Sequence, residues 1–248
     1  NVILQKIREE ERKVLYDQYY GMEKEVVTGI VQRVMGKNVS INLGKADAIL
    51  AENEQVRGEE FHPTEHIKVY ILEVKDTPKG PRIQVSRTHP GLVKRLFESE
   101  VAEVRDGTVE IKSIAREAGS RTKIAVWSND PDVDPVGACV GMNGARVGAV
   151  VNELRGEKID IINWSDNPAI LIENALSPAK VISVMADPDE RTASVIVPDY
   201  QLSLAIGKEG QNARLAARLT GYKIDIKNET QAIESGELPA DYMNMAEN

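Results

Sequence analysis

Two glycine pairs carry the chemistry that this sequence makes available. Gly141-Met142-Asn143-Gly144 and Gly207-Lys208-Glu209-Gly210 share the spacing Gly-x-x-Gly. One such match means little, since glycine at about 7% of residues produces it roughly once by chance in a chain of this length. The flanks decide the matter. An apolar residue precedes each pair, Val140 and Ile206, and each copy ends in Lys-Ile-Asp-Ile, beginning at Lys158 and Lys223. The glycines are 66 positions apart and the Lys-Ile-Asp-Ile strings 65, so one copy has gained or lost a residue. Self-similarity at a near-fixed offset marks a repeated supersecondary unit. Glycine removes the Cβ that would hold a sugar–phosphate backbone away from the chain, and it permits positive φ in a tight turn between helices. A helix beginning at the second glycine turns its unpaired N–H groups and positive dipole end toward phosphate.

The elements that must position these loops follow from the same strings. Each copy reads as an apolar residue, Gly-x-x-Gly, a helical stretch and a short β-branched strand. This layout resembles a KH domain, whose GXXG loop clamps about four backbone nucleotides. A phosphate-binding Walker loop fits worse, because Gly-Lys must be followed by Ser or Thr. Here Gly207-Lys208 precedes Glu209, and Gly44-Lys45 precedes Ala46. The candidate RNA-binding residues are Gly141, Met142, Asn143, Gly144, Ala145 and Arg146 in the first copy. In the second they are Gly207, Lys208, Glu209, Gly210, Gln211, Asn212 and Arg214. Backbone amides hold phosphates, and side chains in the first turn of each following helix reach phosphate and base edges. Arg146 and Arg214 supply part of the charge. Ile159, Ile161, Ile224 and Ile226 line the groove or the core beneath it.

The 248 residues carry a formal charge of −8, which at first sight disfavours an RNA-binding protein. Its distribution matters more. Residues 229–248 hold Glu229, Glu234, Glu237, Asp241 and Glu247 and no base. Residues 200–228 set Lys208, Arg214, Arg218, Lys223 and Lys227 against Glu209 and Asp225. The second copy is therefore a locally basic patch of the kind that attracts phosphate. Over 136–166, Arg146, Arg155 and Lys158 face Glu153, Glu157, Asp160 and Asp166, so the first copy is not basic. Aromatic residues at 4% argue against a sheet that stacks bases. The single Cys139 fits a core position in a reducing, cytoplasmic setting. No uncharged apolar run is long enough to span a bilayer. His62 and His66 are interrupted by Pro63, so no metal site or other cofactor is expected, and no catalytic cluster is found.

Upstream, Ile3, Leu4, Ile7, Val14 and Leu15 recur at helical spacing, and Val39/Ile41/Leu43, Ile67/Val69/Ile71 and Ile83/Val85 alternate as strands do. The string Thr28-Gly29-Ile30-Val31-Gln32-Arg33-Val34 and the closing Ile83-Gln84-Val85-Ser86-Arg87 resemble the S-one type RNA-binding barrel, an OB-fold. Its usual binding-face aromatic is missing, which leaves Phe61, His62, His66 and Tyr70 as candidates. Downstream, Asp134-Pro135 and Asp199 are predicted to cap the helices before each loop, Asn167-Pro168 to mark the seam between the copies, and Ser177-Pro178 to open the early helix of the second copy.

The run Asp134-Pro-Val-Gly-Ala-Cys-Val-Gly141-Met-Asn-Gly144-Ala-Arg-Val147 and the preceding Ala118-Gly-Ser-Arg-Thr-Lys-Ile-Ala125 carry a more specific resemblance, as does Gly156-Glu-Lys-Ile-Asp-Ile161. Together they are similar to the NusA family of bacterial transcription factors. The implied fold is multidomain α+β, a small OB-fold β-barrel followed by two prokaryotic-type (type II, αββααβ) KH domains packed in tandem. The implied division is a helical linker over 1–24 ending a preceding N-terminal domain, the barrel over 25–89, the KH domains over 90–166 and 167–228, and an acidic tail over 229–248.

The implied activity is non-catalytic binding of single-stranded RNA along one continuous groove, in pausing, termination and antitermination. The implied partners are RNA polymerase, met mainly through the N-terminal domain, and other elongation or antitermination factors. The implied state is a cytoplasmic monomer. Family members often place a base inside the first loop; Met142-Asn143 departs from this. Two other readings stay open: the RNA-binding accessory part of a ribonuclease or ribosome-associated protein, and an interaction scaffold with vestigial loops.

Overall fold

The computed structural model describes residues 1–247. Helix α1 (Val2–Tyr20) precedes five strands, β1 (Val26–Met35), β2 (Asn38–Asn42), β3 (Asp47–Leu50), β4 (His66–Thr77) and β5 (Gly80–Ser86). Next come α2 (Pro90–Glu100), α3 (Ala102–Arg105), β6 (Val109–Glu117), β7 (Arg121–Ser128), α4 (Pro135–Val140), α5 (Ala145–Glu153) and β8 (Lys158–Asn163). The same order then recurs as α6 (Pro168–Ala175), β9 (Ser183–Asp187), β10 (Thr192–Val197), α7 (Leu202–Ile206), α8 (Gln211–Thr220) and β11 (Lys223–Asn228). Helices α9 (Glu229–Glu234) and α10 (Tyr242–Ala246) follow. Leaving aside the four-residue α3, each repeat is αββααβ, so the chain holds two KH domains in tandem.

The chain forms two compact units, one of residues 1–102, 118–121 and 141–158, the other of 103–117, 122–140 and 159 onward. In the first, β1 to β5 close into a barrel in the order β1-β2-β3-β5-β4. Strands β3 and β5 run parallel, and the other pairings whose register is given run antiparallel. The alternating residues of the sequence fill it: Val39, Ile41, Val69, Ile71, Ile83 and Val85 are all buried. This is the period-2 burial of a strand with one apolar face. Helix α1 lays Tyr19 onto this core, with its hydroxyl donating to the Leu43 carbonyl at 3.1 Å.

In the second unit lie the three-stranded sheets β6-β7-β8, whose end residues Arg121 and Lys158 belong to the first unit, and β11-β10-β9. Strands β10 and β11 pair in parallel, β9 and β10 antiparallel. One core joins them. Ala115, Ala125 and Ile162 of the first sheet share it with Leu171, Ile172 and Ala175 of α6 and Leu215, Ala216 and Leu219 of α8. The sheet of the first KH domain therefore packs on helices of the second.

Two boundary expectations are corrected. The early helix of the second repeat opens at the seam itself, Asn167-Pro168, where the Asn167 side chain accepts from the Ala169 N–H and proline occupies the first turn. Ser177-Pro178 falls after α6 ends. Asp199 does not cap α7 but begins a separate 3-10 turn, Asp199–Gln201. Its carboxylate accepts from the Thr230 hydroxyl at 2.6 Å and the Thr230 N–H at 3.0 Å, contacts that hold it below the usual carboxylate range. Among the described residues no helix is long and apolar enough to cross a membrane.

Candidate nucleic-acid interface

The two glycine loops have the same backbone. Gly141 sits at φ 77°, ψ 173° and Gly207 at φ 79°, ψ 171°. The third residues, Asn143 and Glu209, are left-handed at φ 54° and φ 57°. Gly144 (φ 73°, ψ 17°) and Gly210 (φ 77°, ψ 11°) are left-handed too, and each is the residue from which the next helix starts. The first glycine of each loop lies in a region open essentially to glycine alone. It is also crowded: a Cβ on Gly141 would lie 2.9 Å from the Arg146 nitrogen, and one on Gly207 2.7 Å from the Asn212 nitrogen. The fold thus draws each loop back onto the fifth residue after its first glycine. The second glycines face open space, with no atom within 4 Å of a Cβ on Gly144. A phosphate backbone can approach there.

The extra residue in the first copy lies between helix and strand. Helix α5 spans nine residues and is followed by Leu154 to Glu157, whereas the ten-residue α8 is followed only by Gly221 and Tyr222. The loops themselves are equal in length. Arg146 corresponds to Asn212, and Arg214 corresponds to Gly148.

The candidate side chains part company at this point. In the first loop Met142 is 85% exposed. In the second, Lys208 and Glu209 are exposed. Asn212 is not available to a base edge: it is 2% exposed, and its amide donates to the Leu176 carbonyl at 3.1 Å and the Ala205 carbonyl at 2.9 Å. It stitches α8 to α6 and α7, which corrects its assignment as an RNA-reaching residue. Arg214 is held by a group the sequence reading did not single out. Its Nε and Nη2 donate to the two Glu117 carboxylate oxygens at 2.9 and 2.8 Å, and its Nη1 donates to the Glu209 carbonyl inside the loop at 3.0 Å. Hydrogen bonds from Arg214 outweigh partial burial and hold Glu117 below the usual carboxylate range; Gln211 and Arg218 add to the effect. Glu117 stands 97 residues from Arg214, so no local pattern signals it.

Within the second unit, a cavity of about 550 Å³ runs beside β8. Val136, Ile161 and Asn163 of the first KH domain line it together with Asn174, Ser177 and Lys180 of the second. Ile159, Ile161, Ile224 and Ile226 are half-buried.

Helix α5 is fixed at its other end. Arg87, 1% exposed, donates from Nε and Nη2 to Glu59 at 3.1 and 2.6 Å and from Nη1 to the Lys68 carbonyl at 2.8 Å. It also donates to the Glu153 carboxylate and carbonyl, both at 3.1 Å. The barrel aromatics are engaged elsewhere: Tyr70 is buried and stacked on His89 at 4.4 Å, and Phe61 lies under the Arg155 guanidinium. No group of three or more His, Cys, Asp or Glu side chains that could hold a metal ion occurs among the described residues.

A barrel joined to two KH repeats, each with an intact GXXG turn opening a helix, defines the class: a multidomain protein built on tandem KH modules. Comparison with known proteins narrows it. Models of the NusA-like first KH domain and the NusA-like second KH domain match residues 87–164 and 168–234. The transcription termination/antitermination protein NusA of Bacillus subtilis is 60% identical over 238 residues, covering 96% of this chain and 64% of that protein. Its namesake from Thermus thermophilus is 49% identical over 90% of this chain and 58% of its own length. The Mycobacterium tuberculosis protein of the same name is 47% identical over 95% of this chain and 71% of its own. This chain belongs to the NusA family, and it spans roughly three-fifths of the length of the Bacillus and Thermus relatives.

Proposed function

We propose that the chain binds single-stranded RNA through its GXXG loops, as the non-catalytic RNA-binding portion of a transcription termination and antitermination factor. The observation that carries this reading is the same Gly-x-x-Gly backbone built twice, each copy ending in a left-handed glycine that opens a helix into free space. Such a turn offers amide N–H groups and a positive dipole end to phosphate. The process is suggested by the names of the relatives, and with it come RNA polymerase and other elongation factors as partners and the cytoplasm as the setting. The protein acts as a monomer. Binding rests on phosphate-holding amides in both loops, with Lys208 adding a point charge only in the second.

The test replaces Lys208 and Glu209 by aspartate, and separately Met142 and Asn143, with helical content and melting temperature checked for each. RNA affinity is expected to fall about tenfold or more in each double variant, since two carboxylates then face the phosphates. Each double variant changes the loop charge by −2, because Glu209 is already a carboxylate, so losses of similar size are expected. Unchanged affinity in both folded variants would overturn the reading. The expectation that one strand serves both loops is tested with oligomers of increasing length. A single affinity step on reaching a threshold length supports it, and two independent sites at all lengths refute it.

A further inference from the structure

The second GXXG loop is braced from outside its own domain. Strand β6 of the first KH domain lies in the core shared with α8, through Ala115 against the helix that carries Leu215 and Leu219. That contact brings Glu117, the last residue of β6, to the first turns of α8. There one carboxylate gathers the side chains that face it. Arg214 donates to both its oxygens at 2.9 and 2.8 Å, Gln211 hydrogen-bonds to it, and Arg218 stands at 4.0 Å. The remaining Arg214 nitrogen, Nη1, donates at 3.0 Å to the carbonyl of Glu209, the left-handed third residue of the loop. A two-oxygen fork of this kind fixes the plane of a guanidinium as well as its position. The carboxylate of Glu117 is 24% exposed and the Arg214 side chain 40%, so the pair lies at the surface beside the loop.

We infer that Glu117 of the first KH domain is a positioning residue for RNA binding by the second, holding Arg214 against the Glu209 carbonyl and so fixing the shape of the Gly207–Gly210 turn. The inference rests on the proposed reading of that loop as a phosphate site. Without Glu117, the arginine gains rotamers and the loop loses its side-chain donor to Glu209. The alternative role for the carboxylate is that of a competitor, occupying a cation that RNA would otherwise use; its removal would then tighten binding. The two roles differ in sign.

The experiment measures affinity of the full chain for a fluorescent single strand of mixed sequence, about twelve nucleotides long, enough for more than two four-nucleotide grips. Salt is held at about 0.3 M, where the Debye length is short enough that one surface carboxylate has little general effect on a polyanion. Four proteins are compared: the parent, Glu117→Ala, Arg214→Ala and the double variant. Glu117→Ala is expected to weaken binding about three- to tenfold in the parent, an ordinary coupling for groups in direct contact. In the Arg214→Ala background it is expected to do nothing further, because Glu117 acts only through Arg214. Glu117→Gln, which keeps an acceptor without the charge, is expected to fall between parent and alanine, and it replaces Glu117→Ala should that variant melt early. Unchanged or tighter binding by the Glu117 variants overturns the inference, as does an equal loss in both backgrounds. The Lys208/Glu209 aspartate variant run alongside separates the two ideas. Full affinity in that variant removes the loop reading and this inference with it. Lost affinity there, with Glu117→Ala at parental strength, removes only the brace.

Discussion

At the residue scale, the two glycines of each loop do different work, although a sequence pattern writes them alike. Gly207 combines φ 79° and ψ 171° with a site where a Cβ would lie 2.7 Å from the Asn212 nitrogen and 2.8 Å from its Cβ. Asn212 cannot retreat, because its amide is buried and holds the Leu176 and Ala205 carbonyls. Gly210 is left-handed but open, the nearest neighbour for a Cβ there being the Arg214 guanidinium at 3.8 Å. Gly207→Ala is therefore expected to cost ~2–4 kcal/mol, backbone strain plus a clash with buried backbone. Gly210→Ala should cost ~1–2 kcal/mol, the left-handed penalty alone. Urea unfolding of both variants checks this, and equal costs would show that the crowding at Gly207 is relieved elsewhere. The glycine spacing is legible from the chain because it is local. The role of Asn212 is not: a polar residue in the first turn of a helix reads as solvent-facing until α6 and α7 are seen to cover it.

At the element scale, helix α5 owes its placement to a buried charge network rather than to apolar packing alone. Arg87 is 1% exposed, and its partner Glu59 is 5% exposed at the side chain. Burial by itself would lower the tendency of the guanidinium to stay charged, but the Glu59 and Glu153 hydrogen bonds and charges outweigh it and raise its pKa. Breaking such a pair leaves the other charge desolvated and alone. Glu59→Leu and Arg87→Met are each expected to cost ~3–5 kcal/mol. Replacing both together by Leu and Met should cost less than the sum, since only the partly exposed Glu153 then loses its partner. A double-mutant cycle on thermal or urea unfolding measures this, and strict additivity would mean that the pair is not coupled. The strand that carries Lys68 and the one that leads into Arg87 are readable from their alternation, and α5 from its glycine start. The network is not, because Glu59, Arg87 and Glu153 come from three separate stretches and each resembles an ordinary surface charge. The same holds for Glu117, and the mistaken start of the second repeat's early helix at Ser177-Pro178 shows a Ser-Pro signal losing to the Asn-Pro cap that precedes it.

At the scale of the whole molecule, the proposed RNA binding by a chain with a formal charge of −8 must draw on something other than bulk attraction. The basic residues of the second repeat are largely spoken for. Arg214 is paired with Glu117 at 2.8 Å, with Arg218 at 4.0 Å from the same carboxylate, and Lys227 is paired with Glu237 at 2.7 Å. Of the basic residues over 200–228, the described ion pairs engage neither Lys208 nor Lys223, which leaves these two as the cations of that stretch most open to a phosphate. Each phosphate neutralised on a single strand contributes about −0.7 to the slope of log affinity against log salt. Two or three such contacts predict a slope of about −1.5 to −2, shallow for a nucleic-acid-binding protein. Lys208→Ala should flatten it by about 0.7, while Arg87→Lys, which keeps the charge of a buried side chain, should leave it unchanged. Titrations at about 50 to 200 mM salt read the slope directly. A value steeper than about −5 would mean that many more cations meet the strand than the loops provide, and that the grip is electrostatic rather than one of amides and shape.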